Sequence, residues 1–135
     1  METLYLLDTN TVSYYIADNP HEVRKRLDRV GSPSTAVSTV TEAELRYGVA
    51  RNPGALRRRE SVESFLDNTV ILPWDSAAAR NYGQLRAHQE RKGLPLSVED
   101  MMIAAHALSQ GLTLVTPDSV FSFVDGLKTE DWTIA

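Results

Sequence analysis

The stretch LSVEDMMIAAHALSQGLTLVT, residues 96–116, decides the fold class because it joins a predicted buried helix to a predicted buried strand. All but one of the residues 101–108 are apolar, which favours a helix that starts at Ser97 and is covered by other parts of the protein. The segment LTLVT (112–116) is short and apolar, as is typical of a strand in a parallel sheet. A carboxylate, Asp100, nevertheless stands at the head of this apolar helix.

Short apolar segments alternate with helical segments along the rest of the chain. We predict strands at LYLLD (4–8), STAVS (34–38), TVILP (69–73) and LTLVT (112–116), and WTI (132–134) is the candidate for a fifth. We predict further helices at about 10–17, 19–30, 39–52, 55–68 and 76–93. The second of these has Asn19 as its N-cap and Pro20 at its first position, and Gly93 closes the last. This alternation predicts an α/β sandwich around a mainly parallel sheet.

Composition limits the classes of function. The length fits one domain, residues 1–135, and the net charge of −4 argues against a protein that coats nucleic acid by bulk electrostatics. The arginine and lysine clusters at 24–29, 57–59 and 86–92 are either solvated helix faces or a phosphate-binding track. No apolar run approaches the length of a membrane span, the N-terminus does not resemble a signal peptide, and there is no cysteine, so we expect a cytoplasmic protein.

Two acids lie just past the ends of predicted strands. Asp8 follows the first strand and Asp118 follows the fourth. The carboxyl ends of parallel strands share one edge of the sheet, and ligands bind at that edge. Aspartate is also a favoured turn and N-cap residue, so Asp8 could simply cap the next helix, which begins near Asn10.

Glu44 is the acid of the third predicted helix that borders its apolar side. Positions 40, 43, 47 and 50 form an apolar stripe, and Glu44 lies about 40° from Val40 on the helical wheel, whereas Glu42 points to the opposite side. A purely structural alternative is a pair of capping boxes, Thr39 with Glu42 and Thr41 with Glu44.

Asp100 shares its helix face with the apolar positions 103, 104 and 107, two of which are alanine. Such a face packs close to a sheet and carries its first-turn acid inward. If the start of this helix also lies near the carboxyl ends of the strands, Asp100 meets Asp8. A structural role is also open, because Ser97 and Asp100 match a capping pattern and the helix dipole stabilises a first-turn acid by about 0.3–1 kcal/mol.

Three or four carboxylates in one pocket repel each other and favour a divalent cation. Ligation by oxygen alone suggests Mg²⁺, with Mn²⁺ as a substitute, rather than zinc. The histidines His21, His88 and His106 lack metal-ligand spacing, and we treat them as non-ligands.

Four segments in this order resemble the PIN-domain ribonucleases of the VapC toxin type: YLLDTNTVSYYI, STVTEAELRYGVAR, GQLRAHQERKGLPLSVEDMMIAAHALSQGLTLVT and VDGLKTEDW. The resemblance implies a three-layer α/β/α sandwich with a mainly parallel central sheet. It places the family's metal-binding acids on Asp8, on Glu44 rather than Glu42, and on Asp100.

The fourth acid is where the chain departs from the family pattern. Many relatives read VTNNxxEF or VTNDxxF where this chain reads VTPDSVF, so Val120 occupies the slot of an acid that the enteric branch uses. Asp118 matches the position of the acid in other relatives, and Pro117 gives it a stiff exit from the strand. We expect Asp118 to be the fourth catalytic and metal-binding carboxylate, with a simple turn cap as the alternative.

The resemblance also implies an activity and partners. It implies Mg²⁺-dependent hydrolysis of RNA phosphodiesters, a VapB-like antitoxin that inhibits the enzyme, and a homodimer. The ending GLKTEDW is similar to that of the enteric VapC branch, which cuts initiator tRNA in its anticodon loop.

Three alternatives remain for comparison. A haloacid dehalogenase-type phosphatase needs a D-x-D pair where this chain has Asp8-Thr9-Asn10, and a receiver domain needs a lysine that LVTPD does not supply. The third alternative is a catalytically inactive PIN-like protein-interaction module, against which the presence of three motif acids speaks.

Overall fold

A five-stranded parallel sheet in the order β3-β2-β1-β4-β5 forms the centre of the computed structural model, which describes residues 2–94 and 96–134. The strands are β1 (Tyr5–Leu7), β2 (Thr35–Ser38), β3 (Val70–Leu72), β4 (Thr113–Val115) and β5 (Thr129–Glu130). Every strand pair is parallel, and β1 pairs on both sides, with Tyr5 opposite Thr35 and Thr113. The mainly parallel sheet predicted from the alternation of apolar segments is confirmed.

Six α-helices cover the sheet: α1 (Thr9–Ala17), α2 (His21–Val30), α3 (Thr39–Ala50), α4 (Leu56–Asp67), α5 (Ser76–Lys92) and α6 (Val98–Gln110). Two short 3-10 helices, Ser32–Ser34 and Ser119–Phe123, complete the regular structure of the described residues. No helix in the described part of the chain combines the length and apolarity needed to cross a membrane.

The helices lie on both faces of the sheet, as the predicted three-layer sandwich requires. Adjacent strand residues point to opposite faces, so Leu6 joins a core with α5 and α6 while Leu7 joins a core with α1, α2, α3 and α4. The first core contains the small face of α6, including Ala104 and Ala107, which lets this helix pack closely on the sheet.

The predicted ends of two helices are confirmed. Ser97 is the N-cap of α6, and its Oγ accepts a hydrogen bond from the backbone N of Asp100 at 3.1 Å. Gly93 closes α5 in the left-handed conformation at φ 68°, which favours glycine.

Two other predictions, the N-cap of α2 and the position of the fifth strand, are wrong. Pro20, not Asn19, is the N-cap of α2, because Pro20 has extended backbone angles (φ −73°, ψ 145°) that lie outside the helix. The fifth strand is Thr129–Glu130 rather than 132–134. The side chain of Asp131 accepts a hydrogen bond from the N of Thr133, which turns the chain away from the sheet, and Trp132 is buried against Tyr5 instead of pairing in the ladder.

The predicted apolar sides of α3 and α4 are partly wrong. Thr41 and Leu45 are the buried residues of α3, whereas Tyr47, in the predicted apolar stripe, is 65% exposed. In α4 the predicted apolar residues Val62, Phe65 and Leu66 are buried but Leu56 is 61% exposed. These helices therefore leave apolar side chains outside the core.

Candidate active site

Asp8 lies at the carboxyl end of the central strand β1 and is also the N-cap of α1. Its Oδ1 accepts a hydrogen bond from the N of Thr11 at 2.7 Å, and its own N donates to the carbonyl of Val115 on β4 at 3.0 Å. The side chain is only 4% exposed. The capping role and the site role are thus compatible, because the cap uses one carboxylate oxygen.

Burial raises the pKa of Asp8 above its ordinary value, and the nearby charge of Asp100 raises it further. Hydrogen bonds from Thr116 and Thr11 favour the carboxylate and oppose this rise. A buried acid that meets a second acid at a sheet edge is typical of a functional site rather than of a structural turn.

Asp100 lies at the head of α6 and is half-buried. Burial raises its pKa, the hydrogen bond with Ser97 lowers it, and the charges of Asp118 and Glu99 raise it. Asp8, Asp100 and Asp118 therefore form an electrostatically connected series at the carboxyl edge of the sheet, although they come from three separate elements.

Asp118 follows β4 in an exposed turn. Its Oδ1 accepts a hydrogen bond from the N of Val120 at 3.0 Å, which caps the short 3-10 helix Ser119–Phe123. Its own N donates to Thr116 Oγ1 at 3.1 Å. The turn-cap interpretation of Asp118 is thus satisfied, and its charge also acts on Asp100.

Glu44 reaches the site through Thr9, the residue after Asp8. Thr9 Oγ1 donates to Glu44 Oε1 at 2.6 Å and lies 3.4 Å from Thr41 Oγ1. Neither alternative capping box forms, because Ser38 is the N-cap of α3 and accepts from the N of Val40. Glu44 is held at the junction of α1 and α3, away from the buried face of its helix.

The donor chemistry of these acids fits a hard divalent cation. All four side chains offer carboxylate oxygens, which Mg²⁺ and Mn²⁺ prefer. Within residues 2–94 and 96–134, however, no three His, Cys, Asp or Glu side chains lie close enough together to hold one metal ion as they stand. Three of the carboxylates already accept hydrogen bonds from the protein, and Mg²⁺ usually binds through one or two carboxylates and keeps several waters.

The histidines lie elsewhere. His21 contacts Asp18 and His88 contacts Asp125 on the surface. His106 is fully buried, and its Nδ1 lies 2.8 Å from Ser38 Oγ.

A groove of about 770 Å³ opens from the site between α3 and α6. We call it the α3–α6 groove. Thr9, Glu44 and Glu99 line its acidic end, and its other walls include Tyr47, Arg51 and Trp74. Thr9, Thr116 and the aromatic walls were not predicted from the sequence. The spacing of Tyr47, three residues after Glu44 on the same helix, was a signal for the aromatic wall.

The chain is similar to known proteins over nearly its whole length. The family model of the PIN domain matches residues 5–127. The chain is 39% identical over 129 residues to the tRNA(fMet)-specific endonuclease VapC of Shigella flexneri, with 95% of this chain and 97% of that protein covered. It is 36% identical over 129 residues to the protein of the same name from Salmonella typhimurium, with the same shares covered.

Solved structures show the same fold. The crystal structure of DNA-bound VapBC from Salmonella typhimurium matches with a TM-score of 0.90 and 36% identity, over 96% of this chain and 98% of that one. VapBC2 from Rickettsia felis, bound to a promoter DNA fragment, matches with a TM-score of 0.87 and 30% identity, over 98% and 99%. On this evidence the chain belongs to the PIN domain family and, within it, to the VapC ribonucleases.

Proposed function

We propose that the protein is a Mg²⁺-dependent endoribonuclease toxin that hydrolyses RNA phosphodiesters at Asp8, Glu44, Asp100 and Asp118. The observation that carries the proposal is the meeting of Asp8 and Asp100 at the carboxyl end of the central strand. Burial raises the pKa of both acids, and the charge of Asp100 raises that of Asp8 further, so both carboxylates are disfavoured and a divalent cation would remove that cost.

The residues of the chain prepare the site before any ion binds. The hydrogen bond from the N of Thr11 to Oδ1 fixes the orientation of the Asp8 carboxylate. Thr9 holds Glu44 beside it, and Ser97 holds the backbone of Asp100. A divalent ion bound there supplies an activated water and neutralises charge on the phosphate. Mn²⁺ has the same oxygen preference and is expected to substitute for Mg²⁺.

The names of the relatives support a substrate. Both the Shigella and the Salmonella relatives are tRNA(fMet)-specific endonucleases, and each aligns over nearly the whole of this chain. We therefore propose initiator tRNA as the substrate, cut in its anticodon loop, and we place the enzyme in the cytoplasm where that RNA acts.

The solved VapBC structures support a partner. We propose that a VapB-like antitoxin inhibits the enzyme by placing an arginine between the acids and apolar residues on the adjoining surface, because arginine pairs well with carboxylates. We also propose that the toxin forms a homodimer.

The experiment compares the parent with Asp8→Asn, Glu44→Gln and Asp100→Asn on initiator tRNA, with Mg²⁺ or with excess EDTA. Each of the three variants should abolish cleavage, as should EDTA. Glu42→Gln is the matched control, because Glu42 lies on the same helix and pairs with Arg46 away from the site. It should cleave at the parental rate.

Two results would contradict the proposal. Full cleavage by Asp100→Asn in excess EDTA would exclude a carboxylate-bound metal. A parent protein that cleaves no RNA with either Mg²⁺ or Mn²⁺ would indicate the inactive interaction module instead.

A further inference from the structure

We propose that the α3–α6 groove binds the single-stranded RNA next to the scissile phosphate, with Tyr47 stacking on a base and with Arg51 and Arg58 binding phosphates. The inference deepens the proposed function and rests on it. It adds three residues that carry no carboxylate and take no part in holding a cation.

The groove continues directly from the acids. Thr9 and Glu44, which hydrogen-bond to each other, line one end of it. Glu44, Tyr47 and Arg51 follow at spacings of three and four residues, so they lie along one face of α3. At 1.5 Å per residue, Arg51 lies about 10 Å from Glu44 along the helix axis. RNA bound along this face would therefore lead directly to the acids.

Tyr47 has a large aromatic side chain that lies outside both cores. Its side chain is 65% exposed although Leu45, two residues earlier, is buried in the core. The guanidinium carbon of Arg51 lies 5.6 Å from the centre of the Tyr47 ring, which holds the ring in place from one side. Exposed aromatic rings of this kind are the platforms on which unpaired bases stack.

The nearby guanidinium groups are available for phosphates. Within the described ranges neither Arg51 nor Arg58 pairs with a carboxylate, whereas Arg46 on the same helix pairs with Glu42 and Glu63 at 2.9 and 2.8 Å. Arg58 Nη2 lies 3.4 Å from Ser13 Oγ, and Ser13 is one turn of α1 beyond Thr9. Arg51 thus lines the groove together with Glu44 and Glu99, and Arg58 of α4 contacts α1 one turn beyond the groove residue Thr9.

This charge distribution favours RNA over a protein occupant. An apolar protein surface would cover the guanidinium of Arg51 and leave it without a partner, which is costly. A basic peptide would be attracted by Glu44 and Glu99 but repelled by Arg51 and Arg58. A polyanion avoids both costs, because its phosphates pair with the arginines while the scissile phosphate meets the cation-bearing acids.

The test measures binding without cleavage. In an Asp100→Asn background, fluorescence anisotropy would follow a fluorescein-labelled anticodon stem–loop of initiator tRNA. Tyr47→Leu, which keeps apolar area and loses stacking, should weaken binding roughly 5- to 150-fold, whereas Tyr47→Phe should bind like the background protein. Arg51→Gln and Arg58→Gln should each weaken binding and reduce the salt dependence by about 0.7–1 in slope. Arg46→Gln, which removes the same charge from the opposite side of α3, is the matched control and should leave both unchanged.

The outcomes separate this inference from the proposed function. If the parent cleaves tRNA and the Tyr47→Leu and Arg51→Gln proteins bind it undiminished, the inference alone is wrong. If Tyr47→Leu leaves RNA affinity unchanged but shifts the sedimentation coefficient of the protein, the groove is a protein interface and the inference is also wrong. If the parent cleaves no RNA, the proposed function fails, while weaker RNA binding by the Tyr47 and Arg51 variants would still support the groove.

Discussion

A single carboxylate, Asp8, shows how one residue can serve the fold and the site together. It caps α1 with one oxygen and is 4% exposed at the end of the central strand. Asparagine is an equally good N-cap, so amide substitutions at this site separate charge from geometry. The same reasoning applies to Asp118, which also caps a helix.

Asp118→Asn should keep the cap on Val120 and remove only the charge. We expect cleavage to fall at least tenfold, equivalent to about 1.4 kcal/mol in the barrier. The Mg²⁺ concentration that gives half the maximal rate should rise. Cleavage rates measured across a Mg²⁺ titration check both effects. A parental rate with an unchanged metal requirement would make Asp118 structural, and the enzyme would then run on three acids.

His106 gives a prediction for pH. Burial lowers its pKa below the ordinary value of 6.5, against the opposing charge of Asp75 at the start of α5. Below pH 6.5 the unfolded chain binds a proton at this residue before the folded protein does, so the free energy of unfolding falls as pH falls towards the folded pKa.

His106→Asn can retain a hydrogen bond to Ser38 but cannot titrate. At pH 7.5 it should be less stable by about 1–3 kcal/mol, because it leaves a cavity in the core. Between pH 7.5 and 5 its stability should depend less on pH than that of the parent. Urea unfolding at several pH values tests this, with the exposed His21→Asn as control. A parental slope in the His106 variant would contradict the assignment.

At the scale of elements, α6 and α3 show what could and could not be predicted from the sequence. The start of α6 followed from Ser97, and the packing of its alanine face followed from periodicity, since both are local properties. The buried face of α3 did not follow, because Thr41 is buried and Tyr47 is exposed for reasons set by neighbouring elements. Hydropathy alone cannot distinguish an apolar core face from an apolar groove.

The candidate site was likewise only partly predictable from the sequence. Strand ends and helix faces left open whether Asp100 meets Asp8, and the family resemblance assigned both acids to one site. The Thr9–Glu44 hydrogen bond could not be predicted, because it joins residues 35 positions apart whose relative position depends on the packing of α1 against α3. The position of Trp132 is a similar case, because a strand was predicted at 132–134 and Trp132 is instead buried against Tyr5.

Ser97→Ala removes the side-chain cap of α6. We expect it to lower the free energy of unfolding by about 1 kcal/mol, the usual cost of losing an N-cap. Ser97→Asn supplies another good capping side chain and should restore most of the loss. Urea denaturation of both variants in EDTA checks this without metal effects. Equal stability of Ser97→Ala and the parent would show that the cap contributes nothing.

At the scale of the whole molecule, the four candidate acids come from the end of β1, from α3, from α6 and from the turn after β4. A cation that binds all four would connect parts of the chain that are far apart in sequence. Mg²⁺ should therefore raise the unfolding temperature. At a concentration of 100 times its Kd, the expected gain in stability is about 2.7 kcal/mol. Thermal unfolding across a Mg²⁺ series measures it. Asp100→Asn should lose most of this response, and an equal response in both proteins would place the ion elsewhere.

The central place of β1 in the sheet also bears on how a toxin is made. Thr11, just past β1, donates to the carbonyl of Val115, which is synthesised 104 positions later. At about 5–20 residues per second, a ribosome needs roughly 5–20 seconds to cover that distance. Throughout this time the nascent chain carries Asp8 without β4, one of the two neighbours of β1. In a ribonuclease built in this way, the sheet edge that carries Asp8 is completed only when translation is almost finished.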